Sequence, residues 1–332
     1  MVRSSVQKLS DSIFEKFEIR ARRKEKDLFI ERTKEAFREI GYADIEITVH
    51  KSLIGCQNLV VGPPDADFLF TAHYDTPGRN GFIMLPFAKI LGMVFASILG
   101  TLFLVLLTSP VIILNLFGIF IENHPVIDLF FRLSPLAIII MLLIIKNQHN
   151  HNDNTSGCLG VYNIAVIVSE IPVLREKCAF VLFDMEEIGL LGSYAFVKWR
   201  RKHYPGIVNS RVINFDCIGN GNVLVIASKR KRNAVTERVQ LTQYFQGEGF
   251  DALQKTSNLF CYLSDHVHFS NGIMFSFLRR SWLGGLYIPN IHTRRDNICD
   301  LEQIERLSKS VVKYVNNSIN CSINGTAKKP FD

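Results

Sequence analysis

Five short stretches place imidazoles and carboxylates where metal chemistry needs them. "FTAHYD" carries His73 and Asp75, "HNDNTSG" carries Asp153, and "LFDMEE" carries Asp184, Glu186 and Glu187. "NFD" carries Asp216 and "NIHTRRD" carries His292. Three of these stretches close apolar, strand-like runs, and in open α/β sheets ligands bind beyond the carboxyl ends of strands. Histidine nitrogen with carboxylate oxygen is the donor set of borderline cations such as zinc. Two cations close together need a shared anionic bridge, and a water between them readily loses a proton and attacks a carbonyl. A carboxylate that is not a ligand must take that proton and pass it to the leaving amine. Each piece alone is weak: H-x-D triplets arise by chance, and paired glutamates commonly open a solvated helix. Their joint placement at strand ends is the signal.

The elements that must position these groups read as α/β. "DLFIERTKEAFREIGY" predicts an amphipathic helix, with Phe29, Thr33, Ala36, Phe37 and Ile40 at helical spacing and Gly41 as its cap. "IEITVH", "QNLVVG" and "DFLFTAHY" follow as strands, with the turn "GPPDAD" between the last two. Beyond Asn147, "CAFVLFDMEE", "RVINFDCIGN" and "GNVLVIAS" are continuous apolar strands, as in a sheet buried on both faces. "GSYAFVKWRRKHY" and "TERVQLTQYFQ" predict helices between them. Asp300 and Gln303 are spaced as a capping box for a final helix striped by Leu301, Ile304, Leu307, Val311 and Val315. This alternation implies a largely parallel sheet wrapped by helices.

The motif set "AHYDTP", "NDNTSG", "EEIGLLGS", "NFDCIG", "SDHVHF" and "IHTRRD" resembles the two-zinc aminopeptidases. These include the bacterial leucine aminopeptidases, aminopeptidase Y and, more distantly, glutamate carboxypeptidase and glutaminyl cyclase. The likeness covers the chain except for an apolar insert. It implies an α/β sandwich around a mixed, mainly parallel sheet, and two zinc ions. On this resemblance Asp153 is the bridging ligand, His73 and Asp216 complete one zinc site, and Glu187 and His292 complete the other. Glu186 is then the general base, and Asp75 holds the His73 ring in its tautomer. The family's oxyanion-stabilising tyrosine has no match beside His292, where Ile291 stands; Tyr287 is the nearest candidate. His266 and His268 of "SDHVHF" are candidates for the substrate pocket or for loop packing. His149 and His151 flank Asp153 and are read as solvent-facing loop residues. The expected activity is hydrolysis of N-terminal peptide bonds of short or hydrophobic peptides. The alternatives are a glutaminyl cyclase-like acyltransferase, a carboxypeptidase or small-amide deacylase, and a membrane scaffold holding a structural zinc.

The motif of His73 runs straight into greasy sequence. Ile90 to Leu107 is almost unbroken apolar chain, and Val126 to Ile145 carries only Asp128 and Arg132 as charges. Those two are four apart and can pair on one helix face. About 20 apolar residues cross a bilayer, so the stretch predicts an apolar helical hairpin of two spans, Phe82 to Leu107 and Val126 to Ile145. The chain then divides into residues 1–80 and 147–332 of the catalytic domain, interrupted by 81–146. Lys and Arg near the catalytic ends, and none in the far connection, predict an integral membrane protein with its catalytic domain facing the cytoplasm and the lipid bilayer as a partner. The N-x-S motif at Asn154 would place a glycan in the active site, which agrees with a cytosolic face. Seven scattered cysteines without a C-x-x-C pair argue against a disulfide framework. The N-terminus shows no apolar leader. The net charge of +7 lies in clusters such as "SKRKRN" that read as solvated surface, with no nucleic-acid motif.

Overall fold

A computed structural model describes residues 2–323 apart from 51–54, 64, 79–80, 117–124, 127, 130–131, 135–144, 205–209 and 259–260. Two helices lead, α1 (Val2–Lys16) and α2 (Arg23–Glu39). α2 buries Phe29, Thr33, Ala36 and Phe37 of the predicted stripe and Ile30 besides, while Ile40, its C-cap, is half-buried. It ends at Gly41, whose φ of +90° turns the Gly41 and Tyr42 amides back to the carbonyls of Arg38 and Phe37.

Eight strands then share one sheet: β1 (Ile45–His50), β2 (Cys56–Val61), β3 (Phe68–His73), β4 (Cys178–Phe183), β5 (Arg211–Phe215), β6 (Val223–Ser228), β7 (Ala252–Thr256) and β8 (Gly272–Arg280). Their order is β1-β2-β4-β3-β5-β8-β6-β7, and the two-residue β9 (Leu286–Tyr287) pairs with the end of β8. The centre, β4-β3-β5-β8, is parallel. β2 joins β4, and β6 joins β8, in antiparallel register. The sheet is therefore mixed around a parallel centre. Along β6, Leu224 and Ile226 enter one apolar cluster while Val223, Val225 and Ala227 enter another. That two-residue period is what a sheet covered on both faces requires.

One face is covered by α1, α2, α5 (Gly157–Ser169), α8 (Arg232–Gly247) and α9 (Leu301–Ile323). A single turn, α6 (Pro172–Arg175), leads into β4, and α7 (Leu191–His203) packs on the other face through Phe196. At the start of α9, Asp300 accepts from the Gln303 amide at 3.0 Å as a cap should. The Gln303 side chain completes no box; it donates to the Ile218 carbonyl at 3.0 Å and ties the helix to the loop after Asp216.

The apolar stretch departs from its expected form. It opens as α3 (Gly81–Leu91) and α4 (Met93–Leu116), and the break falls at Gly92, not at Pro110, through which α4 continues. Gly92 has φ +86°, and a Cβ there would stand 2.9 Å from Gly285 Cα. The last carbonyls of α3 are taken by the catalytic domain: Trp282 N–H donates to Lys89 and Leu283 N–H to Ile90. A straight span from Phe82 to Leu107 is thus interrupted by a close backbone contact with the β8–β9 turn. Among the described residues no helix is long and apolar enough to cross a membrane. The expected integral membrane protein, with its catalytic domain facing the cytoplasm, is therefore withdrawn. Most of the second expected span, Val126 to Ile145, and part of the connection before it lie outside the described residues. The Asp128–Arg132 pair does form, at 2.6 Å. Gly78 and Lys146 pair as an isolated bridge, so the chain leaves and re-enters the catalytic domain at one point. That is why the insertion does not separate His73 from Asp153.

Candidate active site

The parallel centre of the sheet delivers the site. His73 is the last residue of β3, Glu186 and Glu187 follow β4, and Asp216 follows β5. Asp153 comes from the wide turn His151–Ser156 that starts α5, and His292 from the loop after β9. His73 Nε2 lies 3.4 Å from Asp153 Oδ1 and 3.9 Å from Asp216 Oδ1. His292 Nε2 lies 2.9 Å from Asp153 Oδ2 and 3.5 Å from Glu187 Oε1. The two carboxylate oxygens of Asp153 thus face two separate groups, His73–Asp216 and His292–Glu187. In each group the donor atoms lie within 4.8 Å of one another, the span that a single metal ion requires. His73, Glu186 and Glu187 also fall within that reach, with Glu186 Oε2 4.0 Å from His73 Nε2, but that group lacks the shared Asp153. Asp184, the remaining strand-end carboxylate, points away and pairs with buried Lys26 at 2.5 Å.

Loop hydrogen bonds hold the cluster. Asp75 accepts from the Glu186 amide at 3.0 Å and the Glu187 amide at 3.3 Å, and its Oδ1 lies 3.5 Å from His73 Nδ1. It therefore orients three cluster residues together. The asparagines and serine of "NDNTSG" knit the Asp153 turn to the loop after β5. Asn154 accepts from the Gly157 and Cys217 amides, Asn152 from Gly219, and Ser156 from Ile218. A Cβ on Gly157 would meet Asn154 Oδ1 at 2.3 Å and the Phe215 carbonyl at 2.5 Å, so only glycine fits. Asn154 itself is fully buried, and a glycan has no room in this fold. Asp296 clamps the same turn, accepting from the amides of Asn152 and Asp153. Non-glycine residues with positive φ concentrate here: Met185, Cys217, Tyr262 and His292 lie beside or within the site. Such backbone persists only where the surroundings over-determine it, and it clusters at functional sites.

The electrostatics call for a cation. Burial opposes protonation of His73, but Glu186, Asp153, Asp75 and Asp216 outweigh it and hold the imidazole well above its usual range. His292 is raised against burial in the same way by Glu187 and Asp153. Burial lifts the Glu186 carboxyl well above its usual range, against His73 and with help from Glu187, Asp216 and Asp265. Burial likewise raises Glu187 and Asp216. Asp153, Glu186, Glu187 and Asp216 line one cavity with the two histidines, and among the described residues no lysine or arginine lines it. Buried carboxylate in such excess must be compensated by positive charge. The donor set therefore fits divalent metal, and it leaves Glu186 beside the two groups that share Asp153.

The cavity, about 210 Å³, has an acidic floor and an apolar wall that includes Met93, Tyr262, Leu263, Met274, Ile288 and Ile291. Two expected pocket residues are elsewhere. Tyr287 pairs with Arg279 on β9 and does not line the cavity. His266 is buried against Ser257 at 2.7 Å, and burial pushes its imidazole down to about 3, so it stays neutral in the core. His268 bonds Ser193 at 2.9 Å. Two residues missed in the sequence take part instead. Tyr262, three residues before Asp265, lines the cavity, and burial pushes its phenol up to about 12, keeping the hydroxyl protonated. Met93 reaches the cavity from the apolar insertion, which nothing in its local sequence signals. His149 and His151, expected in solvent, both face Glu18.

The sequence profile of Peptidase family M28 matches residues 148–315, just over half of the 332-residue chain. The chain belongs to this family, whose peptidases are zinc-dependent, and it is a metallopeptidase. No curated protein matches it significantly in sequence. Solved structures share its fold. The LapA aminopeptidase of Legionella pneumophila is 14% identical with a TM-score of 0.56, over 94% of this chain and 67% of that one. A leucine aminopeptidase precursor from Bacteroides thetaiotaomicron is 14% identical with a TM-score of 0.58, over 94% and 95%. A glutaminyl cyclase from Porphyromonas gingivalis is 18% identical with a TM-score of 0.59, over 96% and 98%. At these identities the likeness is one of fold, and it spans hydrolases and a cyclase alike.

Proposed function

We propose that this metallopeptidase is an aminopeptidase that takes two zinc ions and removes the N-terminal residue of short or hydrophobic peptides. The observation that carries this reading is Asp153, whose two oxygens face separate His–carboxylate groups, with Glu186 beside them and a member of neither. His73, Asp153 and Asp216 would hold one ion, and His292, Asp153 and Glu187 the other. Bound there, the pair supplies Lewis acidity, which acidifies water and polarises a carbonyl.

The chain's own residues do the rest. Glu186, its proton affinity raised by burial, accepts a proton and returns it to the leaving amine. Asp75 fixes the amides of Glu186 and Glu187, and so the direction in which both carboxylates point. The protonated Tyr262 hydroxyl is a donor for the developing oxyanion. Among the described residues no Lys or Arg lines the cavity to pair with a C-terminal carboxylate, which favours cleavage at the N-terminus. The apolar wall suits an apolar N-terminal side chain.

The test is a peptide panel with free, acetylated and N-terminal glutamine ends, run with zinc and with chelator. Zinc-dependent release of free-amine residues, with acetylated peptides spared, is the expected result. Ring closure on N-terminal glutamine without hydrolysis of the others would move the assignment to a cyclase.

A further inference from the structure

A second cluster of metal-ligand side chains lies outside the catalytic one. We propose that Glu18, His149 and His151 form an accessory site for one divalent cation of the borderline class, such as zinc. Glu18 Oε1 lies 3.1 Å from His149 Nδ1, and the same oxygen is in contact with His151 Nε2. All three donor atoms lie within 4.8 Å of one another. The two imidazoles stand nearly perpendicular, at 84°, with centroids 6.1 Å apart. They therefore present nitrogen edges to a common point instead of stacking. Two histidines and a carboxylate, with positions left for water, are a borderline-metal donor set.

The side chains are held as a site must hold them. Phe14 stacks on the His151 ring at 4.2 Å, and the Nε2 edge faces Glu18. Asn150 Nδ2 donates to the Glu18 carbonyl at 3.0 Å, and Asn147 Nδ2 to the His149 carbonyl at 2.6 Å. The side chains of Glu18 and His151 are 23% and 18% exposed, against 1% and 4% for His73 and Asp153, so an ion reaches this site without opening the core. The location gives the ion a task. Glu18 lies between α1 and α2, two residues before Arg20, which donates to the Tyr74 carbonyl and to Thr155. His151 lies two residues before Asp153. A cation here staples the N-terminal helices to the turn that presents the shared aspartate.

The experiment separates this site from the catalytic one. The His73→Ala/His292→Ala chain is dialysed against buffered zinc, and its metal content and thermal midpoint are measured. The same is done after adding Glu18→Gln and His151→Gln. The first chain is expected to retain about one zinc and to gain on the order of 3 °C with zinc at a hundredfold excess over Kd. The second should lose both. In the otherwise unaltered chain, Glu18→Gln/His151→Gln should lower zinc content by about one equivalent. Equal zinc in that variant and in the parent chain would overturn the proposal.

Discussion

The floor and the wall of the cavity are built on different principles. The floor residues are polar groups at strand ends or in loops, and buried carboxylates hold the backbone of three of them: Asp75 accepts from the Glu186 and Glu187 amides, and Asp296 from the Asp153 amide. The wall is apolar, and one of its residues, Met93, comes from an insertion joined to the catalytic domain at Gly92 and Gly285. On the proposed reading the floor carries the reaction, and the wall selects the side chain that fits. The insertion thus contributes a residue to the cavity instead of merely adjoining it.

Changes to the floor residues that would hold or orient the metal, Asp153 and Asp75, should cost rate and metal together. Asp153→Ala removes the only carboxylate shared by both groups and should abolish zinc retention at each, with the largest loss of hydrolysis. Metal analysis and kinetics on one preparation check this. Asp75→Asn keeps the shape but weakens the hold on His73 and on the Glu186 and Glu187 amides. A loss of about 10–100-fold in activity or zinc affinity is expected.

A change in the wall should alter selectivity. Met93→Ala deepens the cavity, and the ratio of kcat/KM between N-terminal Phe and Leu substrates should move by about tenfold. The best kcat should stay within a few-fold. An equal fall for every substrate would show that Met93 supports the floor instead.

A change outside both should leave catalysis alone. Glu237 is buried near Arg211 at 3.7 Å, and burial raises its carboxyl from 4.5 to about 7. Between those values the folded chain binds more protons than the unfolded one, so this residue makes stability fall as pH rises from 4.5 to 7. Glu237→Gln should remove that fall. Its stability relative to the parent should climb across the same window, by at most about 3 kcal/mol above it, with kcat unchanged. Denaturant midpoints at several pH values decide this.

How much of this was legible in the sequence follows the same division. Strand ends announce themselves, because a buried run must stop at its polar ligands; His73, the Glu186–Glu187 pair and Asp216 were all visible for that reason. Asp153 was visible through the loop chemistry of "NDNTSG". Tyr262 was not, because a cavity-lining tyrosine in a short irregular loop has no period to betray it, whereas Tyr287 lies nearer His292 in sequence. Met93 was hidden because apolar residues in an apolar stretch look alike until a backbone contact selects one. The same uniformity makes Phe82 to Leu107 read as one unbroken span. The interruption is at Gly92, where the stitching partners, Trp282 to Gly285, lie almost two hundred residues away in the chain.

The most direct test of the central claim is Glu186→Gln, assayed for zinc content and for hydrolysis of a free-amine peptide in the same sample. If Glu186 is the unspent base beside two metal groups, zinc content stays at the parent level while kcat falls by about 10²–10⁴-fold. A variant that keeps near-parental kcat, or one that loses zinc along with its activity, would contradict the assignment.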